Sequence, residues 1–251
     1  MFEPSIPAKA ARSFQGRGAW AVARTYLIAC VIGGSSTAPA KAQDQAELAT
    51  HAFVLTGTAG IVSDYRDRGL SLSEGNPAFQ GSATVAHRSG AFAFVWASTI
   101  RGDAELETQI GLGYSWKRES TVVDLWGTIN LYPGAAHDTF AEVYVKAERE
   151  IGVATIAVGA AYAPPQKALD NLNNLYFSIE GQIPVPGSSA RIAAAAGWEN
   201  GAFAGNKIDW RVGVRRQISG WLCSADVVGA AEAEKIGSSH TRFVFAITRS
   251  F

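Results

Sequence analysis

No stretch of about 18 consecutive apolar residues occurs anywhere in the sequence, so no segment is long enough to cross a membrane as a helix. Cysteine is nearly absent: Cys30 and Cys223 are the two in 251 residues. Histidine is as thin, with His51, His87, His137 and His240 scattered along the chain. There is no G-x-S-x-G, no H-E-x-x-H and no Cys/His cluster. His87 has Ser89 beside it, but the pair falls in a turn, and lone histidines in turns are solvated far more often than catalytic. The expectation is no catalytic residue, no metal and no cofactor. A basic excess is missing too, because the formal net charge is +0. Residues 1–42 hold five bases (Lys9, Arg12, Arg17, Arg24, Lys41) and one acid (Glu3), which leaves 17 bases against 21 acids and a net charge of −4 beyond them. That argues against a nucleic-acid partner.

What the chain has is alternation. Apolar residues make up 47%, yet mean hydropathy is close to zero because they are spread thinly. Near the end, Phe243, Phe245, Ile247 and Phe251 share one parity, against Arg242, Ala246, Thr248 and Ser250. A period of two makes one face of a strand greasy and the other polar. Arg249 alone breaks the greasy parity, as a long side chain snorkelling to a rim would. Twelve such segments can be counted. In Thr108–Lys117, Ile110, Leu112, Tyr114 and Trp116 oppose Gln109, Gly111, Gly113 and Ser115; in Val122–Tyr132, Val123, Leu125, Ile129 and Leu131 oppose Asp124, Thr128 and Asn130. In Ala91–Thr99, Phe92, Phe94 and Trp96 form the apolar set.

The connections alternate long and short in phase. The long ones are about 64–78, 100–107, 133–138, 163–174, 199–207 and 230–240; the short ones are about 88–90, 118–121, 149–152, 184–189 and 219–220. Outer-membrane barrels have this asymmetry, with tight periplasmic turns and longer outer loops. Aromatics near segment ends (Trp96, Trp116, Tyr132, Tyr162, Trp198, Trp210, Trp221) suit an interfacial girdle. The expected fold is therefore all-β: a single transmembrane up-and-down antiparallel β-barrel of about 12 strands over residues 43–251. Before it, bases precede the apolar run Tyr26–Ile32, and Ala40-Lys41-Ala42 forms an A-x-A site, so residues 1–42 read as a cleaved signal peptide. Leu27-Ile28-Ala29-Cys30 keeps a lipoprotein signal open as the alternative.

The block Ser63-Asp64-Tyr65-Arg66-Asp67-Arg68-Gly69-Leu70-Ser71, followed by Pro77-Ala78-Phe79-Gln80-Gly81, resembles the opening of the TorF-type porins. Gly90-Ala91-Phe92, Val95-Trp96-Ala97-Ser98, Tyr132-Pro133-Gly134 and Glu142-Val143-Tyr144 match further pieces in order. The resemblance covers about Thr56 to Val145. It implies a proteobacterial outer-membrane barrel, assigned as a porin by its architecture.

Two groups of charges are the candidate site. Asp64, Arg66, Asp67 and Arg68 interleave opposite charges in the first long connection, where Gly69 permits a bend. They read either as a solute-selecting constriction or as a self-satisfied plug; adjacent opposite charges favour the plug. Asp124, Glu142, Lys146, Glu180, Asp209, Arg211 and Arg215 lie on the polar parity and are expected inside the barrel. Gly and Ala on the inner parity of the third, fourth, seventh and ninth segments would leave room. Barrels of eight strands are filled by side chains and those of sixteen hold a channel, so twelve suits either a narrow open pore or a plugged barrel. The expected function is passive diffusion of small hydrophilic solutes or ions across the bacterial outer membrane. The expected partners are outer-membrane lipid and the barrel-assembly machinery, reached through the strand ending at Phe251. An adhesion or assembly barrel without a pore is the runner-up, and a lipid-modifying enzyme stands behind it.

Overall fold

A computed structural model describes residues 52–135, 139–231 and 240–251. The expected signal segment, with its A-x-A site and Cys30, lies outside the described residues, as do His51 and His137. Twelve strands form one closed ring. They are β1 (Phe53–Val62), β4 (Ala78–His87), β5 (Ala91–Thr99), β6 (Leu106–Arg118), β7 (Thr121–Leu131), β8 (Thr139–Ile151), β9 (Ala154–Ala163), β10 (Asn174–Pro184), β11 (Ala190–Gly201), β12 (Lys207–Ile218), β13 (Trp221–Ala231) and β14 (Arg242–Ser250). Between β1 and β4 a small hairpin intervenes, β2 (Arg66–Asp67) with β3 (Leu70–Ser71).

Each barrel strand pairs antiparallel with its chain neighbours, and the ring closes where β1 meets β14. The closing ladder runs from Thr58↔Ser250 to Val62↔Ala246. Phe251 extends it, exchanging backbone hydrogen bonds with Gly57 at 2.8 and 3.1 Å. Closure removes the edge that a terminal strand would otherwise present.

Alternation decides what faces out. Leu55, Ile110, Leu112, Leu125, Ile129, Val143, Phe177, Ile179, Val212, Phe243 and Phe245 are all exposed on the outer wall. Their sequence neighbours point in. Trp116 and Trp221 are exposed outside near the short turns, and Tyr162 near the long connections; Trp198 stacks on Phe177 at 6.1 Å. Arg249 sits on this outer face, its guanidinium 5.4 Å from the Trp221 ring centre.

The third segment, β5, turns its parity the other way. Phe92, Phe94 and Trp96 are buried inside the barrel, and Ala91, Ala93 and Val95 face out. Trp96 is therefore no girdle residue; it packs edge-on against Tyr65 at 5.5 Å. The reason lies in the next strand. Paired residues of an antiparallel ladder share a face, and Phe94 pairs with Gly111 while Phe92 pairs with Gly113. The two rings occupy the volume those glycines vacate: a Cβ on Gly111 would lie 2.3 Å from Phe94. The room expected inside the third and fourth segments is thus filled. Inside β9 and β11 part of it is real, because Gly159, Ala161 and Ala195 line open space, while the Tyr176 ring fills the volume beside Gly197.

Gly111→Ala forces the Phe94 ring out of place and is expected to lower stability by about 1–3 kcal/mol, the usual cost of overpacking. Thermal unfolding of the refolded barrel measures it. Phe94→Leu in the same chain should recover most of the loss, since the two sites share one contact.

Candidate functional site: the charged interior of the barrel

The connection between β1 and β4 does not arch over the mouth; it folds into the lumen. Asp64, Tyr65, Arg66, Arg68 and Ser73 are all buried. Asp64 gathers the segment. Its carboxylate accepts from Arg66 Nε at 2.6 Å, the Ser71 hydroxyl at 2.5 Å, the Ser73 hydroxyl at 3.2 Å and the Gly75 amide at 3.2 Å. The hairpin turns on Arg68 (φ 46°) and Gly69 (φ 84°). Positive φ at both central positions matches the right-handed twist of a tight hairpin. For a residue with a Cβ that conformation costs about 1–2 kcal/mol, so Arg68 must be held there by something else. Gly69 meets the wall: a Cβ on it would lie 2.7 Å from the Gly229 carbonyl oxygen.

What holds Arg68 is two carboxylates on separate strands. Nη1 donates to Glu199 Oε1 at 2.5 Å and Nη2 to Glu142 Oε1 at 2.7 Å. The guanidinium carbon lies 4.6 Å from the centre of the Tyr176 ring and 5.9 Å from that of Phe203. Lys207 completes the knot, with Nζ 2.5 Å from Glu199 Oε2 and donating to the Arg68 carbonyl at 2.8 Å. Asn174 Nδ2 donates to Glu199 at 2.9 Å, and the Tyr144 hydroxyl donates to Glu142 at 2.5 Å. On the far side the Tyr65 hydroxyl donates to Glu107 at 2.9 Å. The inserted segment is thereby tied to β6, β8, β11 and β12 and rests on β13.

Below the hairpin lies a cavity with about 1000 Å³ of atom-free space, counting what is continuous with solvent. It sits against Gly159, Ala161 and Ala195, and Trp126, Tyr144 and Val244 give it an apolar side. Lys146, Glu180, Asp209, Arg211 and Asp226 also line it. Lys146 pairs with Glu180 at 3.2 Å, and Arg215 lies 3.6 Å from Asp226.

Residues 46–251 match the family model described as "Bacterial protein of unknown function (Gcw_chp)". The chain belongs to the Gcw_chp family. No curated protein matches the sequence. Among solved structures, the barrel is similar to one titled "KdgM porin in complex with disordered oligogalacturonate". The TM-score is 0.54 at 9% identity, over 79% of this chain and 99% of that one. It is also similar to the NanC porin, with a TM-score of 0.53 at 11% identity over 78% and 98%. The likeness is one of fold: a closed antiparallel barrel of the outer-membrane porin type.

In the Gcw_chp barrel the expected charges fall into two sets. Asp64, Arg66, Asp67, Arg68, Glu142 and Asp209 meet around the inserted hairpin; Lys146, Glu180, Arg211 and Arg215 line the wall beneath it. Asp124 faces inward and is buried opposite Ser115 on the neighbouring strand. Glu107, Tyr176, Glu199 and Lys207 were not anticipated. The signal was there: β6 begins at Leu106, β11 runs to Gly201 and β12 begins at Lys207, and extending the alternation by these few positions places Glu107, Glu199 and Lys207 on the inner parity.

Removing Arg68 leaves Glu142 and Glu199 facing each other across a buried site with one cation fewer. Arg68→Ala is expected to cost about 3–5 kcal/mol, the range for breaking a buried ion pair from one side, read as a drop in thermal midpoint. Asp67 gives a pH signature. It belongs to the inserted connection and not to a spanning strand, and its Nε partner on Arg68 is 3.9 Å away. Burial pushes its carboxyl up to about 8, against a smaller downward pull from Arg68. A carboxyl raised in the folded state binds more protons there than in the unfolded chain. The contribution of Asp67 to stability is then fully present below about pH 4 and is lost as pH rises towards about 8. Asp67→Asn should flatten that decline in melts recorded from pH 5 to 9.

Proposed function

We propose that this chain is an outer-membrane channel for passive diffusion of small hydrophilic solutes, with the inserted hairpin as its constriction. The observation that carries the reading is the division of the wall: apolar residues outside, charges and a cavity inside, on a backbone ring with no edge. A ring of this kind is one of the two ways a chain satisfies its peptide groups in hydrocarbon. Residues 1–42 would direct export and be removed. The strand ending at Phe251 would engage the assembly machinery. The TorF-type resemblance of residues 63–81 supports the same assignment, and those residues form the hairpin and the start of β4.

The interior also favours a sign. Around the hairpin Asp64, Glu107, Glu142, Glu199 and Asp209 face Arg66, Arg68 and Lys207, so acids outnumber bases even with Asp67 left out. A ring of carboxylates selects cations. The KdgM structure is described with an oligogalacturonate, a polyanion; the acidic interior here suits the opposite charge. A plugged, non-conducting barrel is the second reading, favoured by the many anchors on Arg68. No chemistry is proposed. His87 Nδ1 and the Ser89 hydroxyl do lie 2.8 Å apart, but Ser89 also accepts from the Ala91 amide, which makes the pair a turn brace.

Planar-bilayer recording of the refolded protein tests this. The expected result is a small conductance whose reversal potential in a salt gradient has the cation sign, and a larger conductance in Arg68→Ala. Silence in both proteins would overturn the channel; an anion-signed potential would overturn the selectivity.

A further inference from the structure

The Arg68 side chain is a guanidinium held by groups that would hold any guanidinium. Two carboxylates take its two terminal nitrogens at 2.5 and 2.7 Å, and the Tyr176 ring lies beneath its plane at 4.6 Å. Paired carboxylates and an aromatic face together are the recognition set for a planar nitrogen cation. None of these groups belongs to the hairpin. Glu142 stands on β8, Glu199 on β11 and Tyr176 on β10, so the cage is a property of the wall and Arg68 is its visitor. An acceptor beside it is left over. Asp209 takes the Tyr176 hydroxyl on Oδ1 at 3.3 Å, is buried, and has no hydrogen-bond partner for Oδ2 among the described residues. The same carboxylate lines the open cavity below.

We infer that Glu142, Glu199 and Tyr176 form a binding site for solutes bearing a guanidinium or primary ammonium group, and that Arg68 occupies it as a built-in competitor. This rests on reading the lumen as the solute path and names the solute class that path would favour. Binding is non-covalent exchange of one cation for another in the same cage. An incoming solute must displace Arg68, so occupancy by solute and insertion of the hairpin exclude one another.

Chemical rescue tests the site without needing current. Arg68→Ala empties the cage, and guanidinium chloride, arginine amide or agmatine at millimolar concentration should refill it. Thermal unfolding of the full-length variant in detergent is recorded with each, against sodium and tetramethylammonium chloride at equal ionic strength. Ligand at about tenfold over its dissociation constant should favour the native state about tenfold, while the two control salts should do nothing. Adding Glu142→Gln or Glu199→Gln to Arg68→Ala should abolish the response. Equal effects from all salts, or rescue that survives loss of either carboxylate, would overturn the site. Should Arg68→Ala not fold, Arg68→Gln keeps the stem and serves the same measurement. The outcome separates from that of the channel reading: rescue in a protein that carries no current overturns only the channel, and a conducting protein without rescue overturns only the site.

Discussion

A peptide group in a bilayer has no water to turn to, and the whole molecule follows from that constraint. Each strand must give its amides and carbonyls to two neighbours, and a finite sheet can do so only by closing. The pairing of β1 with β14 meets the requirement. Once the ring is closed, the two parities of every strand have different solvents. The outer parity must be apolar over its whole height. The inner parity is released from that demand, and this is why charges can be placed there at all.

Charges inside a narrow ring carry their own cost, because carboxylates brought together away from bulk water repel and are poorly hydrated. The inserted hairpin answers part of it. Arg68 and Lys207 share Glu199, and Arg68 reaches on to Glu142. Opposite charges a few Å apart attract by about 4 kcal/mol at an effective dielectric of about 20, comparable to what desolvation takes away. The knot thus does little for net stability and much for position: the hairpin has one place to sit. Asp124 shows the other outcome, a carboxylate buried on the inner wall beside the Ser115 hydroxyl and outside the ion-paired knot.

How much of this was legible depends on which physical signal a residue carried. Strand count, pairing order and the phase of long and short connections follow from period and turn residues, which are local. The face that each parity takes is not local. Phe92, Phe94 and Trp96 look like a membrane-facing set until Gly111 and Gly113 are seen beside them. The charged run Asp64–Arg68 announced its own compensation, yet its partners Glu107, Glu199 and Lys207 sit at strand ends, where alternation fades into loop composition. Tyr176 carried no mark as a ring under a cation, because such a contact joins residues more than a hundred positions apart.

The ring's closing seam and its insert begin at the same place. The β1–β14 ladder ends at Val62, and the next residue, Ser63, donates its amide to the Phe245 carbonyl at 2.8 Å while its hydroxyl accepts from the Phe245 amide at 2.9 Å. A single residue further on, Asp64 starts the hairpin's network. The stitch that finishes the cylinder is therefore also the hinge-pin of the insert, so any force that drags the insert outward is delivered straight to the joint where the first and last strands are fastened.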